Sequence, residues 1–369
     1  MNVEQAGERH ALHARCKRLI ERLSDGSRDD AARDALLVDL AAYQARWVSP
    51  YAHFAEQRAA ANGSNVERLA ALPTDGFRHA RISSRSESDE LRLFRSSGTT
   101  DSSRSLHSFS DLSLYDLAAQ AAGRYALFPD AEQMEMLIIA PHESELPDSS
   151  LSYMLSRFVH WFGNRRSTFL WPIDETQCTA LVARLRNAER AGYPVALLGT
   201  SFGFVHLLDA LGAERFALPE HSRIMQTGGF KGRSREVSPE AMRALLSTTF
   251  GIPEPWIIAE YGMTELSSQL YETTLREAAL GLPTRPRRLW WPGWVRASVI
   301  DPETQLPRTD AERGLIRIDD AANLDSVACV QTADVGRRER DGIVVLGRAQ
   351  GAEARGCSIT ADELLGKRS

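Results

Sequence analysis

Short apolar runs alternate with amphipathic helical segments between residues 90 and 265. The apolar runs occupy residues 91–94, 136–140, 168–171, 195–199, 224–227 and 257–260. Apolar residues recur at helical spacing in segments 116–125, 176–191 and 239–250. A repeated order of strand, helix and strand predicts a largely parallel sheet that is covered by helices on both faces. Ligands of such sheets bind at the carboxyl ends of the strands, so the loops that follow the apolar runs are the candidate functional segments.

The two ends of the chain have different patterns. Residues 1–72 carry apolar residues at helical spacing, and after residue 290 short apolar or alternating runs are separated by turn sequences at 301–302 and 341–342. The predicted fold class is therefore α/β, with mostly parallel sheets flanked by helices and a small C-terminal β subdomain. We expect a helical N-terminal arm (1–72) packed on the main domain, an α/β core (73–289) and the β subdomain (290–369).

Composition excludes several classes of protein. The chain has 369 residues, a formal net charge of -5 and a pI near 6.0, which argues against a nucleic-acid-binding protein. Its apolar runs are shorter than the ~18 residues that a membrane helix needs. The four cysteines, at positions 16, 178, 329 and 357, form no metal-ligand pair and no disulfide framework. Together with the polar N-terminus, this predicts a cytoplasmic protein.

The first informative loop is rich in serine, threonine and glycine, and it follows the apolar run at 91–94. It reads Ser96-Ser97-Gly98-Thr99-Thr100 and continues to Arg104. Small residues let the backbone approach a phosphate closely, hydroxyl and N–H groups can bind its oxygens, and Arg104 adds a positive charge. The loop lacks the Gly-Lys-Ser/Thr ending of a Walker motif. A serine-rich surface turn is the alternative interpretation.

The second informative loop follows the apolar run at 257–260. It contains Tyr261, Gly262, Thr264 and Glu265. The tyrosine beside a glycine offers a flat stacking face, Thr264 offers a hydroxyl to a phosphate, and Glu265 offers a carboxylate to Mg²⁺. Taken alone, Glu265 could instead be a carboxylate at the start of a helix.

The two loops together resemble the motif pair of the adenylate-forming superfamily, which contains acyl-CoA synthetases, peptide-synthetase adenylation domains and luciferases. Three further segments resemble motifs of that superfamily in the right order: 226–229, 332–334, and 347–348 with 355–356. The resemblance spans roughly residues 90 to 360. It implies ATP-dependent conversion of a carboxylic acid to an acyl-adenylate, with ATP and Mg²⁺ as cofactors.

The resemblance also implies a role for each matching residue. The phosphates of ATP would be held by the first loop, and Arg104 stands where a lysine is usual. Thr264 would contact the α-phosphate, and Glu265 would hold Mg²⁺. The remaining nucleotide contacts would come from Ser96, Ser97, Gly98, Thr99, Thr100, Gly228, Gly229, Tyr261, Gly262, Asp334 and Arg348. Of these, Tyr261 would stack near adenine, Asp334 and Arg348 would bind ribose, and Gly228 would also line the acid pocket.

The sequence departs from the superfamily pattern at three places. Asp101 replaces a glycine in the first loop, and Ala333 replaces the glycine before Asp334. After Gly356 the printed chain continues only to residue 369, so we expect the large domain without the usual mobile C-terminal domain. A complete second step on coenzyme A is therefore not expected.

Two groups of short relatives resemble this chain in length and pattern. The first is the adenylating proteins of phenazine antibiotic (D-alanylgriseoluteic acid) biosynthesis, which would imply activation of phenazine-1,6-dicarboxylate for reduction or transfer by a partner protein. The second is the acyl-protein synthetases of bacterial bioluminescence, in which Cys357 would accept a fatty acyl group. A non-catalytic carrier of nucleotide or acid is a further alternative, since Asp101 brings a negative charge to the phosphate loop.

Two other features leave alternatives open. His142 follows the apolar run at 136–140 and could line the acid pocket or cap its own loop. The aromatic cluster at 290–294 could suit a flat substrate, although such clusters more often pack a domain junction. The sequence is compatible with a homodimer and does not identify the acid.

Overall fold

The computed structural model describes residues 2–58, 65–97, 104–228 and 237–350 of the chain. The residues group into two compact units. Unit 1 contains Met1–Ala122, Met263–Gln269 and Trp290–Ser369, and unit 2 contains Gly123–Gly262 and Leu270–Leu289. Unit 1 is therefore assembled from three separate stretches of chain. The division into residues 1–72, 73–289 and 290–369 remains a prediction.

The helices among the described residues are α1 (Val3–Arg22), α2 (Asp30–Trp47), α3 (Ser49–Gln57), α4 (Gly76–His79), α5 (Ser113–Ala126), α6 (Ser150–Phe162), α7 (Glu175–Ala191), α8 (Ser201–Leu211), α9 (Pro239–Phe250) and α10 (Thr274–Ala279). The strands are β1 (Leu72–Pro73), β2 (Arg92–Arg95), β3 (Leu106–Phe109), β4 (Glu135–Ile139), β5 (Thr168–Phe169), β6 (Val195–Thr200), β7 (Arg223–Thr227), β8 (Ile257–Tyr261), β9 (Leu270–Glu272), β10 (Leu289–Trp290), β11 (Val295–Ile300), β12 (Arg313–Asp320), β13 (Cys329–Glu339) and β14 (Gly342–Arg348).

Unit 2 is built on a sheet in the order β5, β4, β6, β7, β8, β9. The first five strands are parallel, and β9 runs antiparallel to β8. Strand residues such as Leu137, Leu197 and Ile224 pack with Phe204 of α8 and Met242 of α9 in one buried core. This arrangement confirms the α/β fold class that the alternation of apolar runs and helices predicts.

Local signals in the sequence set the ends of the helices on this sheet. Helix α7 begins after Asp174, whose side chain accepts a hydrogen bond from the backbone N–H of Gln177, as expected of an N-cap residue. Helix α9 ends at Gly251, which has φ +68°. A Cβ at position 251 would lie 2.7 Å from the carbonyl oxygen of Phe216. Glycine is therefore required there both by conformation and by space.

Unit 1 contains an antiparallel sheet and a separate hairpin. Strands β11, β12, β13 and β14 pair antiparallel in that order, and β1 pairs parallel with β13. Strands β2 and β3 form the hairpin, with Phe94 opposite His107. The late strands confirm the β structure predicted after residue 290, and α1, α2 and α3 lie where helical spacing predicts helices.

Several elements lack a prediction because their local patterns are ambiguous. The sequence of helix α8 is mostly apolar and directly follows the apolar sequence of β6, so the sequence shows no helical spacing of apolar and polar residues there. Strand β3 is short and carries His107 and Ser108 on an otherwise apolar pattern. No helix among the described residues combines the length and the apolar character that crossing a membrane requires.

Candidate functional site

The β2–β3 hairpin fixes both ends of the serine-rich loop in unit 1. Ser96 and Ser97 follow β2, and Arg104 precedes β3. The N–H of Ser96 donates to the carbonyl oxygen of Ser105 at 3.0 Å, and the N–H of Ser105 donates to Oγ of Ser96 at 2.9 Å. The hairpin therefore brings Ser96, Ser97 and Arg104 to one end of a two-stranded sheet. Gly98, Thr99, Thr100 and Asp101 lie outside the described residues.

The turn at residues 264–268 is joined to this hairpin through His107 of β3. Nδ1 of His107 lies 2.7 Å from the carbonyl oxygen of Thr264. A carbonyl oxygen can only accept, so Nδ1 carries the proton and donates it. Burial lowers the pKa of His107 to about 4, and the imidazole is therefore neutral at pH 7. The β2–β3 hairpin and the turn that carries Thr264 and Glu265 are thus joined by a buried hydrogen bond.

The loop after β12 holds the other side of the same turn. Nδ2 of Asn323 donates to the carbonyl oxygen of Glu265 at 2.9 Å, and Oδ1 of Asn323 accepts from Oγ of Ser267 at 2.7 Å. Thr264 and Glu265 are both buried, and Glu265 lies in a turn and not at the start of a helix. The backbone at positions 264 and 265 is therefore fixed independently of the side chains there.

Asp320, the last residue of β12, adds a second anchor for this turn. Its carboxylate accepts from the N–H of Ser267 at 3.0 Å and from Oγ of Ser268 at 2.8 Å. Burial raises the pKa of Asp320 above its usual value, while these hydrogen bonds act in the opposite direction. Nε1 of Trp294 also donates to Oγ of Ser268, at 3.0 Å. The turn is thus surrounded by buried polar contacts.

Sequence reasoning missed the three residues that hold the turn, namely His107, Asn323 and Asp320. The available signal was polar residues within or just after strands: a histidine in β3, an Asp at the end of β12 and an Asn three residues after that strand. Such residues usually mark buried hydrogen-bond networks or functional sites.

Asp334 and Arg348 lie opposite each other on β13 and β14. Nε of Arg348 is 3.1 Å from Oδ1 of Asp334, and the two residues are directly paired in the sheet register. The N–H of Asp334 donates to Oγ1 of Thr332 at 3.1 Å, and Thr332 donates in turn to the carbonyl oxygen of Ile316 at 2.9 Å. The structure therefore brings together the two residues for which the sequence predicts ribose contacts.

The other predicted residues lie in unit 2, at the carboxyl ends of its parallel strands. Gly228 follows β7, Tyr261 ends β8 and Gly262 follows it. Gly228 has φ +71°, and a Cβ added there would meet no heavy atom of the described residues within 4 Å. Oγ of Ser201 donates to the carbonyl oxygen of Gly228 at 2.9 Å. The described residues thus leave the Cβ side of Gly228 unoccupied and fix its carbonyl group, while Gly229 lies outside the described residues.

A buried carboxyl group lies at the same edge. Glu260 of β8 is paired with Thr227 of β7 in the sheet register, and Oγ1 of Thr227 donates to Oε2 of Glu260. Burial raises the pKa of Glu260 to about 7, and the hydrogen bond from Thr227 opposes this shift. The sequence does contain a signal for Glu260, namely an acidic residue within the otherwise mostly apolar strand β8. Glu260 is nevertheless not among the site residues predicted from the sequence.

His142 and the tryptophan cluster make local contacts. The N–H of Ser144 donates to Nδ1 of His142 at 3.1 Å, and the imidazole lies edge-on to Phe169 with 4.7 Å between ring centroids. These contacts support the loop-capping role, and a pocket role stays a prediction. Trp291 and Trp294 are both buried, so neither offers an exposed flat surface. Cys357 lies outside the described residues.

The described residues contain no group of three or more His, Cys, Asp or Glu side chains that could hold a metal ion. Mg²⁺ bound to a nucleotide keeps water and phosphate oxygens as ligands and takes one or two carboxylates from the protein. Glu265 alone is therefore chemically sufficient as a protein ligand for such an ion.

Comparison with known proteins gives one curated relative and several similar structures. None of the protein-family models compared with the chain matches it. The chain is similar to the long-chain-fatty-acid–luciferin-component ligase of Aliivibrio fischeri, with 23% identity over 287 residues that cover 76% of this chain and 72% of the relative. It is also similar to an open conformation of 2-hydroxyisobutyryl-CoA ligase in complex with 2-HIB-AMP and CoA, with a TM-score of 0.59 and 12% identity over 87% of this chain and 76% of that chain.

The same ligase in its postadenylation state, in complex with R3-HIB-AMP, matches with a TM-score of 0.62 and 12% identity, over 86% of this chain and 67% of that chain. At these identities the likeness is one of fold. The parallel sheet of unit 2, the antiparallel strands of unit 1 and the likeness to this ligase lead to one conclusion: the chain has the fold of the adenylate-forming enzymes.

Proposed function

We propose that this protein activates a carboxylic acid with ATP, forming an acyl-adenylate and releasing pyrophosphate. The observation that carries the proposal is the hydrogen bond from His107 to the carbonyl oxygen of Thr264. It joins the hairpin of the serine-rich loop to the turn that carries Glu265, which are the two segments that the resemblance assigns to phosphate and Mg²⁺.

The chemistry is an in-line displacement at phosphorus. A carboxylate oxygen of the acid forms a bond to the α-phosphorus of ATP, and the bond from that phosphorus to the bridging oxygen of the β-phosphate breaks. Pyrophosphate leaves with the electron pair. The protein supplies positioning and charge neutralisation and no covalent nucleophile.

Each predicted residue has one task in this scheme. In unit 1, Arg104 neutralises the departing phosphates, Thr264 donates to the α-phosphate, and Asp334 with Arg348 binds the ribose hydroxyls. The phosphates are held by Ser96, Ser97, Gly98, Thr99 and Thr100, and the residues assigned to adenine and the acid are Gly228, Gly229, Tyr261 and Gly262. Mg²⁺, held by Glu265, would neutralise charge on the phosphate oxygens.

The proposed substrate is an aromatic acid, and phenazine-1,6-dicarboxylate is the specific candidate from the sequence resemblance. A mixed anhydride hydrolyses readily, so we propose that a reductase or another acceptor protein takes the acyl group. We also expect that the chain does not make a coenzyme A thioester itself. Adding coenzyme A to the assay and looking for a thioester product tests this expectation.

A fatty acid is the second candidate substrate. The observation that favours it is the similarity to the long-chain-fatty-acid–luciferin-component ligase. In that case Cys357 is the proposed acyl acceptor. Retention of radiolabelled fatty acid on the wild-type protein, and its loss in Cys357→Ser, would support this second candidate.

Acid-dependent exchange of labelled pyrophosphate into ATP tests the proposal. The panel contains phenazine-1,6-dicarboxylate, simple aryl acids and long-chain fatty acids. Glu265→Gln and Thr264→Val are expected to lower kcat/KM by about 100-fold or more, which is the range for loss of an electrostatic contact in the transition state. Both backbone hydrogen bonds of the turn remain in these variants, and urea unfolding identifies any variant that fails to fold.

Glu339→Gln is the matched control, because Glu339 belongs to the same unit and pairs with Arg337 at the end of β13. It should retain wild-type exchange. ATP binding without exchange for every acid would contradict the proposal and favour a carrier.

A further inference from the structure

Glu260 differs from the other buried glutamates on the sheet of unit 2. Glu135 at the start of β4 pairs with Arg166 at 3.1 Å and with Arg184 at 3.0 Å. Glu272 of β9 pairs with Arg287 at 2.8 Å. Among the described residues, Glu260 has no cationic partner, and its one hydrogen bond comes from Thr227 to Oε2. Its second oxygen, Oε1, therefore has no partner within the described protein.

The surroundings of Glu260 do not replace that missing partner. The residue is 6% exposed, and its cross-strand neighbour in β9 is the fully buried Tyr271. The hydroxyl of Tyr271 contacts the sulfur of Met154 at 3.9 Å. Burying a carboxylate without a cationic partner is costly, and burial is the cause of the raised pKa of Glu260.

The position of this carboxyl group is where a ligand of such a sheet is expected. Thr227 is the last residue of β7, and Glu260 is the residue before the end of β8. Both therefore lie at the carboxyl edge of the parallel strands. No heavy atom of the described residues lies within 4 Å of a Cβ added at the adjoining Gly228, and Ser201 fixes the carbonyl group of Gly228. A carboxyl oxygen without a partner among the described residues, at the edge where ligands of such sheets bind, points to recognition of a ligand.

We infer that Glu260, oriented by Thr227, accepts a hydrogen bond from a donor group on the acid substrate. This inference rests on the proposed function and narrows the substrate class. The acid carries a hydroxyl, an amino or an un-ionised second carboxyl group away from the carboxylate that reacts. An acid with only an unsubstituted alkyl chain or ring leaves Oε1 unpaired and is the poorer substrate.

Three matched pairs of acids test this inference: benzoate with 3-hydroxybenzoate, phenazine-1-carboxylate with phenazine-1,6-dicarboxylate, and dodecanoate with its ω-hydroxy derivative. Each pair is measured by kcat/KM in ATP–pyrophosphate exchange and by calorimetric titration of the acid alone into the full-length protein. The wild type is expected to prefer the donor-bearing member of at least one pair by about 10-fold or more. Glu260→Met should abolish that preference, and Glu260→Gln, which keeps an acceptor oxygen, should retain part of it.

Thr227→Val tests the orienting role, and Glu135→Gln is the control for burial. Thr227→Val should weaken the preference, because the carboxyl group loses its one protein donor. Glu135→Gln alters a buried glutamate at the opposite end of the strands, so it should leave the preference unchanged even if the variant is less stable. Melting temperatures of all four variants identify any that fail to fold.

The outcomes separate this inference from the proposed function. Exchange with equal kcat/KM within every pair, or a preference that survives in Glu260→Met, overturns the inference and leaves the proposed function intact. Calorimetric preference that depends on Glu260, without any exchange, overturns the proposed function and supports the inference. If no acid binds and none supports exchange, both are overturned.

Discussion

At the scale of single residues, each unit contains a buried titratable group whose pKa is strongly shifted: His107 in unit 1 and Glu260 in unit 2. His107 is held neutral by burial and donates to the backbone of the Thr264 turn. Glu260 has a pKa raised to about 7 and has one protein donor. The two groups affect the pH dependence of stability in opposite directions, and each effect can be isolated by comparing the wild type with one variant.

For His107, we expect stability to fall as the solution becomes acidic. The pKa of the folded state is about 4, whereas an unperturbed histidine titrates near 6.5, so the unfolded state binds more protons between these values. This contribution is complete above pH 6.5 and is lost as the pH falls toward 4. Relative to His107→Asn, the wild type should lose about 2 kcal/mol of unfolding free energy between pH 7 and pH 5.

Urea unfolding of both proteins at the two pH values measures this difference. The asparagine amide can still donate toward the Thr264 carbonyl but does not titrate. Parallel pH profiles for wild type and His107→Asn would show that the histidine is not held neutral by burial.

For Glu260, we expect stability to fall as the pH rises. The folded-state pKa of about 7 lies above the ordinary glutamate value of 4.5, so the folded state binds the extra proton between these values. The contribution is complete below pH 4.5 and is lost as the pH rises through 7. Relative to Glu260→Gln, the wild type should lose about 2 kcal/mol between pH 5 and pH 8. A wild type that gains stability over this interval relative to the glutamine variant would contradict the assigned environment.

At the scale of elements, the Thr264–Glu265 turn is held by its backbone from two directions. Strand β3 contributes His107, and the loop after β12 contributes Asn323. Helix α2 supports the loop after β12. Nε2 of the fully buried Gln44 donates to the carbonyl oxygens of Asn323 at 2.8 Å and Leu324 at 3.0 Å. Its Oε1 accepts from the N–H of Ala328 at 2.9 Å. The N-terminal helices thus contribute to the geometry of the turn.

Gln44→Leu is predicted to destabilise the protein and to impair exchange. The change leaves three buried backbone groups without a partner, which should cost about 3 kcal/mol of unfolding free energy. Denaturant unfolding measures the loss, and pyrophosphate exchange under conditions in which the variant stays folded measures the effect on the turn. Gln120→Leu on the exposed side of α5 is the control. A Gln44→Leu variant with wild-type stability and activity would show that α2 does not support the turn.

The sequence predicts elements with clear periodicity and misses contacts that join distant elements. Helices α7 and α9 and strands β6 to β8 follow from apolar spacing, because each element packs one face or both on the core. Helix α8 cannot be predicted in this way, because apolar residues lie on nearly all sides of that helix. His107 and Thr264 are separated by 157 positions, so no local pattern reveals their hydrogen bond.

At the scale of the whole molecule, the order of the motifs predicts the fold better than it predicts the site. The structure confirms the α/β class, and it brings Asp334 to Arg348 and the Thr264 turn to the serine-rich hairpin. Residues 263–269 belong to the same unit as residues 1–122, although residues 123–262 of the other unit lie between them in sequence. Units assembled from separate stretches cannot be read from local periodicity, because the contacts that define them are long-range.

The most direct test of acyl-adenylate formation is acid-dependent ATP–pyrophosphate exchange by the 369-residue chain, with Glu265→Gln and Glu339→Gln measured alongside it. Exchange that requires both an acid and Mg²⁺, falls about 100-fold in Glu265→Gln and persists in Glu339→Gln is the predicted result. Binding of ATP without exchange for any acid in the panel, or equal exchange in wild type and Glu265→Gln, would contradict it.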